Sequence, residues 1–256
     1  MYKKIIGTFY VLKLNISKRK LSSSDSIDWF KTIYEVSDKS TEKIYLKDFK
    51  IFKNFITANE EISLFSEIEP YLKRMRYEKN HWDDAIINYR ETEKVNWKKE
   101  NKSIIDRMHN FAFGSVESRK DNVLNPAHIL DLADNGYIKP HVDSVKVMKM
   151  VFCGPIEIFQ FCGSVVAGLS LLSDCVFRFV HEQDKYQWIN VYLPRYSFYV
   201  MSGDIRYLFT HEVLQNELSS INGIPVRKTR RISILCRNEP NKQPLTPPIV
   251  KSLQVH

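Results

Sequence analysis

The sequence predicts a mainly β protein of the α+β class: a sandwich or barrel of short strands over residues 127–240, behind a helical and mixed region at 25–126. Three observations carry this. From about residue 127, short runs of β-branched and aromatic residues follow one another, separated by Gly, Pro, Asn and Asp. Upstream, one stretch carries a helical apolar period instead. Across 256 residues, a hydrophobic fraction of 43% with 12% aromatic side chains supplies one good-sized core.

The elements follow in order. Residues 1–24 hold Lys3, Lys4, Lys13, Lys18, Arg19 and Lys20 and no acid before Asp25, and end in Ser22, Ser23 and Ser24. This acid-poor basic leader suits a mitochondrial transit peptide, and so a mitochondrial, matrix location. A secretory signal is the rival, since Ile5 to Leu12 is apolar, but Lys13 cuts the run short and no small-x-small site follows. Most of the net charge of +8 sits in the leader, so the remaining domain is only slightly basic, and tight binding to a polyanion is disfavoured. Nothing approaches the roughly 18 apolar residues of a membrane span.

Residues 25–58 read as mixed structure with an amphipathic segment from Ser26 to Val36. A helix is predicted over Asn59 to Tyr77, with Asn59 as cap, Glu60 and Glu61 at its positive end, and Ile62, Phe65, Ile68 and Leu72 at helical spacing. Pro70 should kink or divide it. Strands are predicted over 164–173, 175–180, 188–193, 197–201 and 231–236. The proline-containing residues 241–256 read as a loose tail.

Cys153, Cys162, Cys175 and Cys236 form no C-x-x-C pair, so a zinc site or redox dithiol has little support, and free thiols in a reducing compartment are expected. The chemistry lies elsewhere. In Tyr137-Ile-Lys-Pro-His141-Val-Asp143, an extended strand would point His141 and Asp143 the same way. Alone, H-x-D is weak, and a structural role for it is the commoner case. A distant His211 after an apolar strand would complete a two-His, one-carboxylate face suited to non-haem Fe(II). Arg231 and Arg237, six apart on one strand, would face the same side, and a guanidinium matches a carboxylate in two parallel hydrogen bonds. A basic strand edge, extended by Arg227, Lys228 and Arg230, is the plainer reading of those arginines.

The stretches HILDLADNGYIKPHVDS, AGLSLLS, GDIRYLFTHEVL, RRISILCR and RYEKNHWDDAIINYRETE resemble the AlkB-like dioxygenases, above all their mitochondrial branch, over roughly residues 55–240. The resemblance implies a double-stranded β-helix, or jelly roll, core with N-terminal helices packed on it. It implies Fe(II) on His141, Asp143 and His211, 2-oxoglutarate as cosubstrate and O2 as oxidant. Arg231 falls on the arginine that pairs with the cosubstrate C5 carboxylate, and Arg237 on the family's second arginine, nearer the metal. Tyr199 and Ser233 align with cosubstrate hydrogen-bond donors, although Tyr199 also fits a core aromatic. The implied reaction hydroxylates a C–H bond, or removes an N-methyl group after hydroxylation.

The family pattern runs from Lys146 straight to Phe161; this chain carries residues 147–160 between, with a Phe152-Cys-Gly that echoes Phe161-Cys-Gly. The segment reads either as a gene-model error or as a real loop extension near the metal. His81, Trp82, Tyr89 and Arg90 are candidate substrate contacts, with packing on the core as the plainer role. The resemblance favours a protein substrate, with methylated mitochondrial RNA as the alternative and an inactive binding module as a third reading. It also links the family to fatty-acid metabolism and regulated necrosis. A monomer is the default expectation.

Overall fold

The computed structural model describes residues 34–115, 123–143, 147–149, 158–160 and 162–239. The leader at 1–24, most of the Ser26–Val36 segment and the tail at 241–256 lie outside them. The elements run in this order: β1 (Tyr34–Val36), α1 (Lys39–Asp48), β2 (Phe49–Phe52), α2 (Ala58–Leu72), β3 (Glu78–Asn80), β4 (Ile86–Lys94), α3 (Lys99–Phe113) and β5 (Ala127–His141). Then come β6 (Val147–Lys149), β7 (Ile158–Gln160), β8 (Val166–Leu171), β9 (Cys175–His181), β10 (Trp188–Leu193) and β11 (Phe198–Met201). The chain closes with α4 (Gly203–Tyr207), β12 (Phe209–Val213), β13 (Ser220–Ile221), β14 (Ile224–Pro225) and β15 (Arg231–Arg237).

The expected jelly-roll class is the fold observed. One antiparallel sheet runs β1-β10-β9-β12-β5-β15-β8-β11-β2, with β3 and β4 attached beside β5. The long β5 makes it curl. Its first part, His128 to Leu132, pairs with β15, and its last part pairs with β12, where His141 lies opposite His211. The bend between them needs Gly136, because a Cβ there would stand 2.5 Å from the Asn88 carbonyl oxygen. Curling divides the side chains into two cores. Inside the curl, Leu130, Leu132, Phe177, Phe179, Tyr199 and Leu235 pack with Tyr45 and Phe49. Outside it, Ile232, Ile234, Cys236, Leu169 and Leu171 pack under Leu64, Ile68 and Leu72 of α2 and Ile104 and Met108 of α3. The period of two along β15 therefore turns Ile232, Ile234 and Cys236 to the helices, and Arg231, Ser233, Leu235 and Arg237 to the interior.

The predicted helix is present but shorter. It starts at Ala58, and Thr57 rather than Asn59 caps it: the Thr57 hydroxyl accepts from the Glu60 N–H at 3.2 Å while the Glu60 carboxylate accepts from the Thr57 N–H at 2.8 Å. Pro70 sits in the last turn and the helix ends at Leu72, so proline shortens it instead of dividing it. The end of the amphipathic Ser26–Val36 segment is a strand, paired with β10. Within residues 147–160, Val147–Lys149 and Ile158–Gln160 pair antiparallel.

Cys162, Cys175 and Cys236 are free and buried, and burial raises each thiol above its ordinary range. No helix among the described residues is long and apolar enough to cross a membrane.

Candidate metal and cosubstrate centre

The curl brings together what the sequence holds apart. His141 ends β5 and His211 lies in the middle of β12, paired directly with it, so the two rings meet at 4.3 Å between centroids. His211 was expected at the end of an apolar strand; the segment before it holds the short helix α4, and His211 sits within the strand that follows. Asp143 lies just beyond the end of β5, not within the strand as predicted, and reaches both imidazoles from the loop. Its Oδ1 is 3.5 Å from His141 Nε2 and 3.7 Å from His211 Nε2. All three candidate ligand atoms lie within 4.8 Å of one another. Donors about 2.1 Å from one ion at right angles stand roughly 3 Å apart, so small side-chain rotations would close this face around a cation.

Protonation at the three groups follows from their packing. The Lys139 carbonyl accepts from His141 Nδ1–H at 2.9 Å, which turns Nε2 toward Asp143. Burial lowers His211 to about 3, with His141, Arg206 and Arg237 adding to it against Asp143, so the ring is a neutral ligand near pH 7. Burial lowers His141 too, but Asp143 and the Lys139 carbonyl outweigh it. Burial would raise the Asp143 carboxyl; His211, His141 and Arg237 instead hold it well below the ordinary carboxylate range.

Arg231 stands on the same interior face, 2% exposed. Its Nη1 donates to Ser233 Oγ at 2.5 Å and its Nη2 to Ser170 Oγ at 2.8 Å. Its Nε has no hydrogen-bond partner, and no ion pair neutralises it among the described residues. A buried guanidinium aimed by two hydroxyls and left without a carboxylate is a cradle for an anionic ligand. Ser233 thus holds the arginine, and Ser170 holds it from β8, directly across in register. Ser170 was missed from the sequence; only the serine in AGLSLLS and the pairing of β8 with β15 mark it. Replacing it with alanine should weaken 2-oxoglutarate binding about tenfold, since an Nη loses its aim. An anaerobic 2-oxoglutarate titration measures this; unchanged affinity would mean Ser233 suffices.

Arg237, at the far end of β15, lies among Cys162, Asp143, Tyr199 and Glu91; burial works against its charge and these neighbours outweigh it. Tyr199 packs as a core aromatic, on Phe49 at 5.7 Å and Phe177 at 5.5 Å, and burial raises its hydroxyl above the ordinary range, with Asp143 adding and Arg231 opposing. That ring lies over Gly168, where a Cβ would sit 2.7 Å from Tyr199 Oη. Also missed from the sequence is Arg206, fully buried five residues before His211, with no guanidinium hydrogen bond among the described residues.

Of the candidate substrate contacts, Tyr89 is buried in the inner core, whereas Trp82 is 80% exposed at the β3–β4 turn. Arg90 faces the other way: it donates to Asp131 at 2.8 Å and to the Met75 carbonyl under α2, a structural role that removes it from any substrate surface.

Two imidazoles and a carboxylate round one gap, with an unneutralised arginine on the same interior face, fit one class: a site for non-haem iron and an acidic cosubstrate on a jelly roll. Comparison with known proteins in sequence gives the family. The chain is 44% identical over 190 residues to the mouse "Alpha-ketoglutarate-dependent dioxygenase alkB homolog 7, mitochondrial", covering 74% of this chain and 78% of that one. The cattle protein of the same name is 42% identical over 186 residues, covering 73% and 76%. Among solved structures, OsALKBH1 is 12% identical with a TM-score of 0.49, covering 74% of this chain and 97% of that one. A prolyl-4-hydroxylase from Pseudomonas putida is 10% identical with a TM-score of 0.49, covering 79% and 98%. No family model matches the chain. The chain belongs to the AlkB-like family of Fe(II)- and 2-oxoglutarate-dependent dioxygenases. Both mammalian relatives are named mitochondrial, which supports that compartment for this chain.

Proposed function

We propose that His141, Asp143 and His211 hold Fe(II), that Arg231 anchors the C5 carboxylate of 2-oxoglutarate, and that the enzyme hydroxylates a C–H bond of a protein side chain in the mitochondrial matrix. The observation that carries this reading is the unneutralised, hydroxyl-aimed Arg231 on the same interior face as the histidine–aspartate group. When bound, the iron and cosubstrate supply the oxidising power: one oxygen atom enters the substrate C–H bond, and 2-oxoglutarate leaves as succinate and carbon dioxide. The chain's own residues do the rest. Ser170 and Ser233 orient Arg231; the Lys139 carbonyl fixes the His141 tautomer; and Phe177 and Phe179 back His211, at 5.6 and 6.4 Å between ring centroids, and exclude water behind it. Arg237 places positive charge beside Asp143 at the metal end.

Oxidative demethylation of mitochondrial RNA is the second reading, favoured by the exposed Trp82, whose indole face is free to stack a base. The slightly basic domain favours protein. Roles in fatty-acid metabolism and regulated necrosis follow the same resemblance.

The test is an anaerobic titration of the full chain with Fe(II) and 2-oxoglutarate, read by the metal-to-ligand absorption band. A band should form, and Arg231→Ala should raise the half-saturating 2-oxoglutarate concentration at least tenfold. No band would leave an inactive binding module on an oxygenase fold. Binding of mitochondrial tRNA with a steep salt dependence would move the substrate to RNA.

A further inference from the structure

The long strand β5 serves both halves of the site, and it is interrupted between them. Its pairing with β15 ends at Leu132, opposite Arg231; its pairing with β12 begins at Ile138 and runs to His141, opposite His211. Between the two, Ala133 to Gly136 have no partner in the ladders that β5 makes with β4, β12 or β15. On the β4 side these four residues stand against Asn88 alone, so β5 carries a bulge there. It is folded so tightly that a Cβ on Gly136 would lie 2.9 Å from the Ala133 nitrogen. Backbone carbonyls of the bulge have no strand to bond and need another donor.

Lys228 supplies it. The side chain is 1% exposed, and its Nζ donates to the Ala133 and Asp134 carbonyls at 2.9 Å each and to the Thr229 carbonyl at 3.4 Å. Three donors on one atom meet three neutral acceptors, a match that an ammonium provides. Burial lowers the group to about 8 and Arg231 adds to this, against Cys175 and Asp134, so near pH 7 it keeps all three protons. The Lys228 backbone is held as well: its N–H donates to Asn216 Oδ1 at 2.8 Å, and its carbonyl accepts from Asn216 Nδ2 at 2.9 Å. Thr229 N–H donates to Ser173 Oγ at 2.9 Å, and Arg230 Nη2 to Asp131 at 2.8 Å. Each residue leading to Arg231 is thus tied down, and Lys228 is the one whose side chain reaches the bulge. An ammonium buried against neutral carbonyls is a costly way to gain stability alone, which points to a demand on geometry.

We infer that Lys228 is a positioning residue for the cosubstrate: by filling the bulge of β5 it fixes the span between Arg231 and the His141–Asp143–His211 group, and so couples 2-oxoglutarate binding to metal binding. The inference rests on the proposed function for the two ends of that span. A ligand held at both ends gains from the second anchor only when the two stand the right distance apart. Lys228 is itself neither anchor. Without it, the metal group and Arg231 should each still bind, but the two arms of β5 would no longer be held at one angle, and the two binding events would come apart.

The test is a linkage measurement on the full chain at pH 7. Mn(II) affinity is read from the electron paramagnetic resonance of the free ion, without 2-oxoglutarate and with it at saturation. In the parent, 2-oxoglutarate should tighten Mn(II) about tenfold or more, and by reciprocity Mn(II) should tighten 2-oxoglutarate, read calorimetrically, by the same factor. Lys228→Met keeps the reach of the side chain and loses its donors. It should bind Mn(II) alone within about threefold of the parent and lower the coupling factor by about fivefold or more. Asn216→Ala, which loosens the same tie from the backbone side, should lower the factor in the same direction, and it decides the matter if the methionine variant does not fold. Circular dichroism confirms the fold of each. A folded Lys228→Met, or in its place Asn216→Ala, with the parent's coupling factor would overturn the inference. So would a loss of affinity for Mn(II) alone as large as the loss with 2-oxoglutarate present, which would make Lys228 a general support of the fold. Failure of the parent to bind Mn(II) would sink the metal reading itself, and Mn(II) binding that 2-oxoglutarate leaves unchanged would sink the cosubstrate reading.

Discussion

His211→Ala is expected to abolish the Fe(II)–2-oxoglutarate band and to lower succinate formation more than about a hundredfold. Loss even of a group that only supports a ligand costs 10–100-fold in metal affinity or activity, and here a proposed ligand itself is removed. His211 Nε2 faces Asp143 Oδ1 at 3.7 Å and its ring lies 4.3 Å from that of His141, tilted by 50°, so its loss leaves two candidate donors round an open gap. Alanine also leaves a void against Phe177 and Phe179, and a stability loss of roughly 1–3 kcal/mol should accompany the change. His211→Asn, which fills more of that void, separates the two effects: it should restore stability and not the band. Circular dichroism confirms the fold, and an undiminished band in a folded alanine variant would remove His211 from the metal.

Asp131→Ala should produce the largest stability change, about 3–5 kcal/mol, because it strands cations that the fold has buried round one carboxylate. Asp131 is fully buried on the outer face of β5. It accepts from Arg90 Nε at 2.8 Å, from Arg230 Nη2 at 2.8 Å and Nε at 3.1 Å, and from the Tyr77 hydroxyl at 3.3 Å. Arg230 goes on to Glu69 of α2, donating from Nη1 at 3.1 Å and Nη2 at 2.5 Å. The network joins β4, β5, α2 and the residue that leads into β15. Arg90 would be left with its side chain 9% exposed and only the Met75 carbonyl and the Tyr77 ring, 4.3 Å away, for company. Urea denaturation at unchanged m-value measures the loss. A change below about 1 kcal/mol would mean that water or Glu69 takes over both guanidinium groups. The same variant should weaken 2-oxoglutarate binding, since Arg230 clamped outward is what leaves its neighbour Arg231 facing inward.

Much of this was legible in the chain itself. The five strands given bounds, from residue 164 to 236, came out to within a residue or two because their alternation is local, whereas β4 went unseen in a region read as helical and mixed. His141, Asp143, His211, Arg231 and Arg237 stood out because few other chemistries call for those types in that order. Errors came where a local rule has two solutions. Thr57 and Asn59 can both cap a helix, and the capping box with Glu60 decided for Thr57. Arg90 and Glu91 are adjacent in one strand, and nothing in the sequence says which face is wet.

By itself the sequence singled out the candidate donors, two imidazoles and a carboxylate suited to a metal and a permanently charged fork suited to a diacid, and two periodicities that separate strand from helix. Only the tertiary structure decided who meets whom. It placed Ser170 and Ser233 on either side of Arg231, His128 and His81 at the two ends of Glu91, and Asp131 between Arg90 and Arg230. The physical reason is that periodicity fixes which way a side chain points along its own strand. Its partner is set by the register of a second strand tens of residues away, and register follows from packing the whole curl round its core.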